Sequence, residues 1–184
     1  MTDGWVRDRV VLDAAQMRRV LDRLAAQIIE RNQGVDELLL VGIRTRGVPL
    51  AEALADRIEA SEGTRPEIGV LDITLYRDEL STIAPQPVVK GTRLPQRMDE
   101  RTVVLCDDVL YTGRTVRAAL GALVDFGRPR RVELAVLIDR GLRELPIQAD
   151  FVGESISTGP DERVEVHFPS TDGDELVEIL VKEP

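Results

Sequence analysis

One stretch, Val103-Val104-Leu105-Cys106-Asp107-Asp108-Val109-Leu110-Tyr111-Thr112-Gly113-Arg114-Thr115, constrains the fold more than any other. Its apolar start reads as a buried parallel strand, with two adjacent carboxylates at the C-terminal end. Thr-Gly-Arg-Thr then leads into an amphipathic run from Val116 to Phe126, with Val116, Leu120, Leu123 and Val124 expected to form its buried stripe. Strand, acidic turn and helix start is the unit of an α/β fold with a mostly parallel sheet.

The same stretch has the chemistry of an anion site. Gly113 permits close approach of the backbone, and the hydroxyls of Thr112 and Thr115 add donors beside the unpaired N–H groups of a helix N-terminus. Ionised Asp107 and Asp108 are acceptors only, so they repel phosphate but take hydrogen bonds from sugar hydroxyls or hold a hydrated Mg²⁺. A phosphorylated ribose meets both demands. An ordinary βα turn with a capping threonine explains Thr-Gly-x-Thr by itself but not the acidic pair before it. No Gly-x-x-x-x-Gly-Lys-Ser/Thr loop is present, so a nucleoside-triphosphatase is not indicated.

Two further strand ends carry charge. Leu38 to Ile43 reads as a central strand followed by Arg44-Thr45-Arg46-Gly47, and Val48-Pro49 opens a helix that closes at Gly63. Val132 to Ile138 reads as another strand, ending in Asp139-Arg140-Gly141. Open α/β sheets bind ligands at such ends. Elsewhere, Val10 to Leu12 is a short strand, and Asp13 with Gln16 forms a capping box for a helix carrying Met17, Val20, Leu21, Leu24 and Ile28 on one face. Ile68 to Tyr76 alternates as a long strand, and residues 77–97 form a flexible, proline-broken loop. Short strands at Asp150 to Val152, Val164 to Phe168 and Glu175 to Val181 suggest a small antiparallel addition. His167, the only histidine, alternates with Val166 and Phe168 and is expected to face solvent, and Trp5 is given no role in a frayed tail.

A chain of 184 residues fits one domain, residues 1–184. Its net charge of −9 repels polyanions at long range, so nucleic acid would need a local basic patch. The single cysteine, Cys106, sits in the expected buried strand and forms no internal disulfide. With no apolar signal core and no bilayer-length run, the reading is a soluble cytoplasmic protein without a membrane partner.

The acidic stretch resembles the phosphoribosyl pyrophosphate (PRPP) signature of type I phosphoribosyltransferases. Leu71-Asp72-Ile73-Thr74-Leu75-Tyr76-Arg77-Asp78 and Asp139-Arg140-Gly141-Leu142-Arg143-Glu144-Leu145-Pro146-Ile147 narrow it to the pyrimidine operon regulators that are also uracil phosphoribosyltransferases. The resemblance implies transfer of phosphoribose from PRPP to uracil, giving UMP and pyrophosphate with Mg²⁺, through an oxocarbenium-like state. Asp107 and Asp108 are then expected on the ribose hydroxyls, and Thr112, Gly113, Arg114 and Thr115 on the 5′-phosphate. Thr45, Arg46 and Arg140 are expected at pyrophosphate, and Asp139 at the metal. Val109, Leu110, Tyr111 and Val164 complete the substrate site, and residues 77–97 become a hood that excludes water from the ribosyl centre. Asp107, Asp108 and Arg140 are the expected catalytic residues, and no general base stands out. Tyr111 stands where purine relatives carry a carboxylate for the purine N7 edge, which favours a pyrimidine.

The same resemblance implies pyr messenger-RNA binding controlled by UMP or UTP, with Arg18, Arg19, Arg23 and Arg143 meeting phosphates, and a homodimer or higher homo-oligomer. Departures at Asp22, Ala26, Leu142, Gln148 and Glu154 remove donors or add negative charge on that surface. They imply weakened RNA affinity or a different RNA; the alternatives are an enzyme without RNA control and an RNA regulator with negligible turnover.

Overall fold

The computed structural model describes residues 4–76 and 91–183. Its main sheet has five parallel strands: β2 (Leu38–Ile43), β3 (Glu67–Leu71), β4 (Thr102–Leu110), β5 (Arg131–Asp139) and β6 (Phe151–Ser155), in the order β3-β2-β4-β5-β6. Strands β2, β4 and β5 are near-continuous apolar runs because both faces are covered. On one face lie α1 (Ala14–Asn32) and α2 (Gly47–Glu62), packed on Leu38, Leu40, Val104, Cys106, Ala135 and Leu137. On the other lies α3 (Arg114–Val124), packed on Leu39, Val41, Val103, Leu105, Leu134 and Val136.

A second sheet is antiparallel. It joins β1 (Trp5–Leu12), β8 (Leu176–Lys182) and β7 (Arg163–His167) in the order β1-β8-β7, and a short helix, α4 (Pro169–Asp172), links β7 to β8. The expected fold class holds, with corrections of detail. The strand near residue 150 is not part of the antiparallel addition: β6 closes the parallel sheet beside β5. Trp5 is no frayed tail, since it pairs with Lys182 in the ladder and the Lys182 ammonium lies 5.9 Å from its ring centroid.

The capping box of α1 is present, with Gln16 N–H donating to Asp13 at 2.8 Å and Asp13 N–H donating to Gln16 at 2.9 Å. The expected stripe on α3 is rotated. Val116, Ala118, Ala119, Ala122 and Leu123 are buried, whereas Leu120 and Val124 are exposed, Val124 by 74%. The alanines allow the helix backbone to settle close to the sheet, and the larger flank faces outward.

Strand β3 ends at Leu71, earlier than the alternation suggests, and Thr74–Tyr76 forms a 3₁₀ turn. The Asp72 carboxylate accepts from the Thr74 N–H at 3.0 Å and hydroxyl at 2.6 Å, a local bond that competes with strand pairing. Much of the expected loop, through Lys90, lies outside the described residues. Its C-terminal part is docked: Val70 and Arg93 exchange backbone hydrogen bonds at 2.8 Å, and the Asp72 N–H donates to Thr92 Oγ1.

Candidate active site

The chain leaves β2 for α2 on one face and β4 for α3 on the other, so the crevice between these two strand ends is the topological switch point. Two loops border it, Arg44–Arg46 and Tyr111–Gly113. Gly47 sets their spacing, because a Cβ there would run into the Cys106 carbonyl oxygen of β4. At Gly113, φ is +91°, a left-handed conformation that turns the strand sharply into α3. Gly113 has no side chain to cap α3, and among the described residues the first amide, that of Arg114, donates to the Thr112 hydroxyl at 3.3 Å.

The resulting cavity, about 560 Å³, is lined by Arg44, Thr45, Arg46, Asp72, Ile73, Thr74, Asp107, Asp108, Val109 and Thr115. It brings the cationic loop, distant in sequence, to the acidic pair and the helix-start hydroxyl that share one stretch of chain. The acids lie within the continuation of β4 past its pairing with β2, which stops at Cys106. Asp107 is buried, and its Oδ1 accepts from the Asp108 N–H at 3.0 Å, while Asp108 Oδ1 accepts from the Val109 N–H at 2.9 Å. Burial pushes the Asp108 carboxyl above the usual range, against the opposing pull of the Val109 amide, Asp107 and the Arg46 charge. Cys106, just below, is inert because burial pushes its thiol up.

Sequence reasoning missed Asp72 and Thr74 as site residues. Their signal was the same as elsewhere: polar side chains directly after a buried strand. The Thr74 hydroxyl and amide hold the Asp72 carboxyl below its usual value, with a smaller contribution from Arg44.

Other expected residues lie elsewhere. Arg140 is buried outside the cavity, with Nε donating to Thr158 Oγ1 and Nη2 to the carbonyls of Gly159 and Glu162, each at 2.9 Å. Its guanidinium also lies 4.2 Å from the Tyr111 ring centroid. Those bonds tie it to the loop before β7, and it is not among the residues that line the cavity. Asp139 is likewise outside the cavity lining, accepting from the Gly141 N–H at 2.9 Å and pairing with Arg143 at 2.5 Å.

Thr112 does not line the cavity, and its carbonyl accepts from Glu144 and Leu145 N–H groups. Arg114 pairs with Glu144 at 2.6 Å and is not among the residues lining the cavity. Leu110 is core, and half-buried Val164 packs on the α1/α2 side. Arg46 lines the cavity while its Nη1 donates to Asp172 and, at 3.0 Å, to the Val166 carbonyl, tying the loop to the small sheet.

Of the basic residues, Arg18, Arg19 and Arg23 are exposed on α1. Arg18 pairs with Glu175 at 2.9 Å, and Arg23 bonds the Gly153 carbonyl with Glu154 at 3.9 Å. Arg143 turns inward to the carbonyls of Ile147 and Tyr111, so it braces the 139–147 loop. His167 is half-buried and bonded to Glu178 at 2.9 Å, correcting the solvent-facing expectation.

Comparison with known proteins gives this geometry its context. Residues 10–169 match the phosphoribosyl transferase domain family. The chain is 58% identical over 170 residues to the bifunctional protein PyrR of Pelotomaculum thermopropionicum, covering 92% of this chain and 94% of that protein. It is 52% identical to the PyrR of Deinococcus radiodurans, covering 92% and 93%. Among solved structures, a hypoxanthine-guanine phosphoribosyltransferase of Bacillus anthracis superposes with a TM-score of 0.70 at 15% identity, covering 96% of this chain and 99% of that one. The hypoxanthine phosphoribosyltransferase of Trypanosoma cruzi gives 0.71 at 15%, covering 96% and 98%. At that identity the structures speak for the fold, while the sequence matches carry the kinship: the chain belongs to the phosphoribosyltransferase family and, within it, to the bifunctional PyrR proteins.

Proposed function

We propose that this chain transfers the phosphoribosyl group of PRPP to uracil, giving UMP and pyrophosphate, and that it couples uridine-nucleotide binding to pyr messenger-RNA attenuation. One observation carries the enzymatic reading: the acidic pair of β4 and the start of α3 share one cavity with the Arg44–Arg46 loop opposite. In that arrangement Asp107 and Asp108 accept from the ribose hydroxyls, and the α3 amides with Thr115 receive the 5′-phosphate. Arg44, Thr45 and Arg46 meet the pyrophosphate, whose charge grows as the bond to C1 breaks. Holding the sugar between these groups aligns C1 with the base nitrogen, so positioning and charge stabilisation do the catalytic work.

The donor set fits a magnesium ion. Asp72, Asp107 and Asp108 supply carboxylate oxygens in one solvent-accessible cavity, as suits a hard cation that keeps part of its water shell. When bound, Mg²⁺ neutralises charge on the leaving pyrophosphate. Tyr111, outside the cavity and 37% exposed, offers an aromatic face but no proton acceptor for a purine N7 edge.

The regulatory half rests on kinship with the PyrR proteins and on the exposed guanidinium groups of α1. Arg18 and Arg23 each pair with one carboxylate while their own side chains stay half-exposed or more, and Arg23 also bonds the Gly153 carbonyl, so phosphates can compete for both cations. The sequence departures at Asp22 and Glu154 still predict a weaker grip.

Both halves are tested on one preparation: UMP synthesis from uracil and PRPP, and titration of a pyr leader RNA with and without UMP. The expected result is turnover with uracil, none with hypoxanthine, and RNA affinity raised by UMP. Failure to form UMP removes the enzymatic reading, and UMP-independent or absent RNA binding removes the regulatory one.

A further inference from the structure

Away from the catalytic cavity, the small antiparallel sheet holds a cluster that the transfer reaction does not use. Glu165 on β7 and Glu178 on β8 are direct cross-strand partners, and His167 follows two residues along β7 on the same face as Glu165. Like charges facing each other across a ladder are unfavourable unless something positive lies between them.

The outer oxygens are already committed. Glu178 Oε2 pairs with Arg7, and Glu165 Oε1 pairs with Arg163 at 3.0 Å. The inner oxygens converge on the imidazole: Glu178 Oε1 is 2.9 Å and Glu165 Oε2 is 3.8 Å from His167 Nε2. All three donor atoms lie within 4.8 Å of one another, and Glu178 is buried. Carboxylates fixed from behind, with one oxygen each turned toward a ring nitrogen, have the layout of ligands oriented by outer partners.

We infer that Glu165, His167 and Glu178 form a binding site for a first-row divalent cation of the Zn²⁺ class, distinct from the catalytic cavity. Imidazole with carboxylate oxygens suits such a cation, whereas Mg²⁺ prefers oxygen alone. Bonds of roughly 2.0–2.2 Å require Glu165 to close on the other two ligands, with water completing a tetrahedron. None of the three lines the catalytic cavity. The site would pin β7 to β8 beside the segment whose Val166 carbonyl accepts from Arg46.

The experiment is equilibrium dialysis of the full chain against micromolar ZnCl₂, without PRPP, followed by metal analysis and thermal melts. Wild type should bind about one Zn²⁺ per chain and melt about 5 °C higher with saturating metal. His167→Gln should bind at least tenfold more weakly and lose the metal-dependent rise, with its metal-free melt reporting that it folds. Asp108→Asn should keep full binding, which separates this site from the acidic pair. Absence of Zn²⁺ binding by wild type, equal binding by His167→Gln, or loss of binding in Asp108→Asn would each overturn the inference.

Discussion

The Arg140 guanidinium lies 4.2 Å from the centre of the Tyr111 ring, joining the loop after β4 to the residues that precede β7. The cation is buried and spends its Nε and Nη2 donors on Thr158, Gly159 and Glu162, so it holds Tyr111 from behind. Arg140→Lys keeps the charge but cannot reproduce the fork. We expect it to cost about 1–3 kcal/mol of stability in urea unfolding, the range for hydrogen bonds to charged groups, and to raise the KM for uracil more than that for PRPP. An unchanged KM for uracil in a folded Arg140→Lys protein would show that Tyr111 needs no such support.

Arg46 and Asp172 link the catalytic loop to the small sheet, and the link is pH-dependent. Burial of Asp172 works against its ionisation but is outweighed by the Arg46 hydrogen bond, the Phe168 amide and the Arg46 charge, leaving its carboxyl below the usual range. Because the folded-state value is depressed, the bond's stabilisation is fully present above the unfolded value near 3.9 and disappears as pH falls through the folded one. Asp172→Asn should therefore destabilise the protein at pH 7, by about 1 kcal/mol given a half-exposed arginine, and make little difference near pH 2. A penalty that persists undiminished in acid would point to lost packing.

Gly47 is where α2 touches β4. Gly47→Ala places a methyl group against the Cys106 carbonyl, backbone that cannot rotate away. The expected cost is about 1–3 kcal/mol with a matching loss of PRPP affinity, since the Arg44–Arg46 loop must shift. Wild-type stability and affinity in that variant would mean that the two elements move apart freely.

Asp108 carries a carboxyl raised by burial, so its ionised form opposes folding at neutral pH. Asp108→Asn should melt a few degrees higher than wild type at pH 7 in the absence of PRPP and Mg²⁺. Differential scanning calorimetry decides this; a lower melting temperature would assign Asp108 a structural role.

How much of this was readable beforehand depended on whether the signal was local. The β4–α3 unit, the capping box at Asp13 and the turn after β2 were legible because strand periodicity, cap chemistry and helix starts are written in adjacent residues. The pairing of β6 with β5 and of Trp5 with Lys182 was not, since strand partners are chosen by tertiary packing. Within the site, the acidic pair and Thr45, Arg46 and Thr115 were found as three-dimensional neighbours, as expected. That Arg140 and Asp139 lie outside the cavity lining is not legible in the sequence, because a charged pair at a strand end looks alike whether it points to a ligand or back into its own loops. Asp72 and Thr74 were passed over because the alternation of residues 68–76 resembled a strand through positions where a side-chain hydrogen bond ends it.

The central claim is that the acidic pair and the start of α3 grip one sugar phosphate from its two ends. Isothermal titration of PRPP with Mg²⁺ into wild type, Asp108→Asn and Thr115→Val, each verified as folded, tests it most directly. The account predicts binding by wild type and affinity at least tenfold weaker in both variants, each of which loses hydrogen bonds to a charged group at opposite ends of the ligand. Unchanged affinity in either folded variant would contradict it.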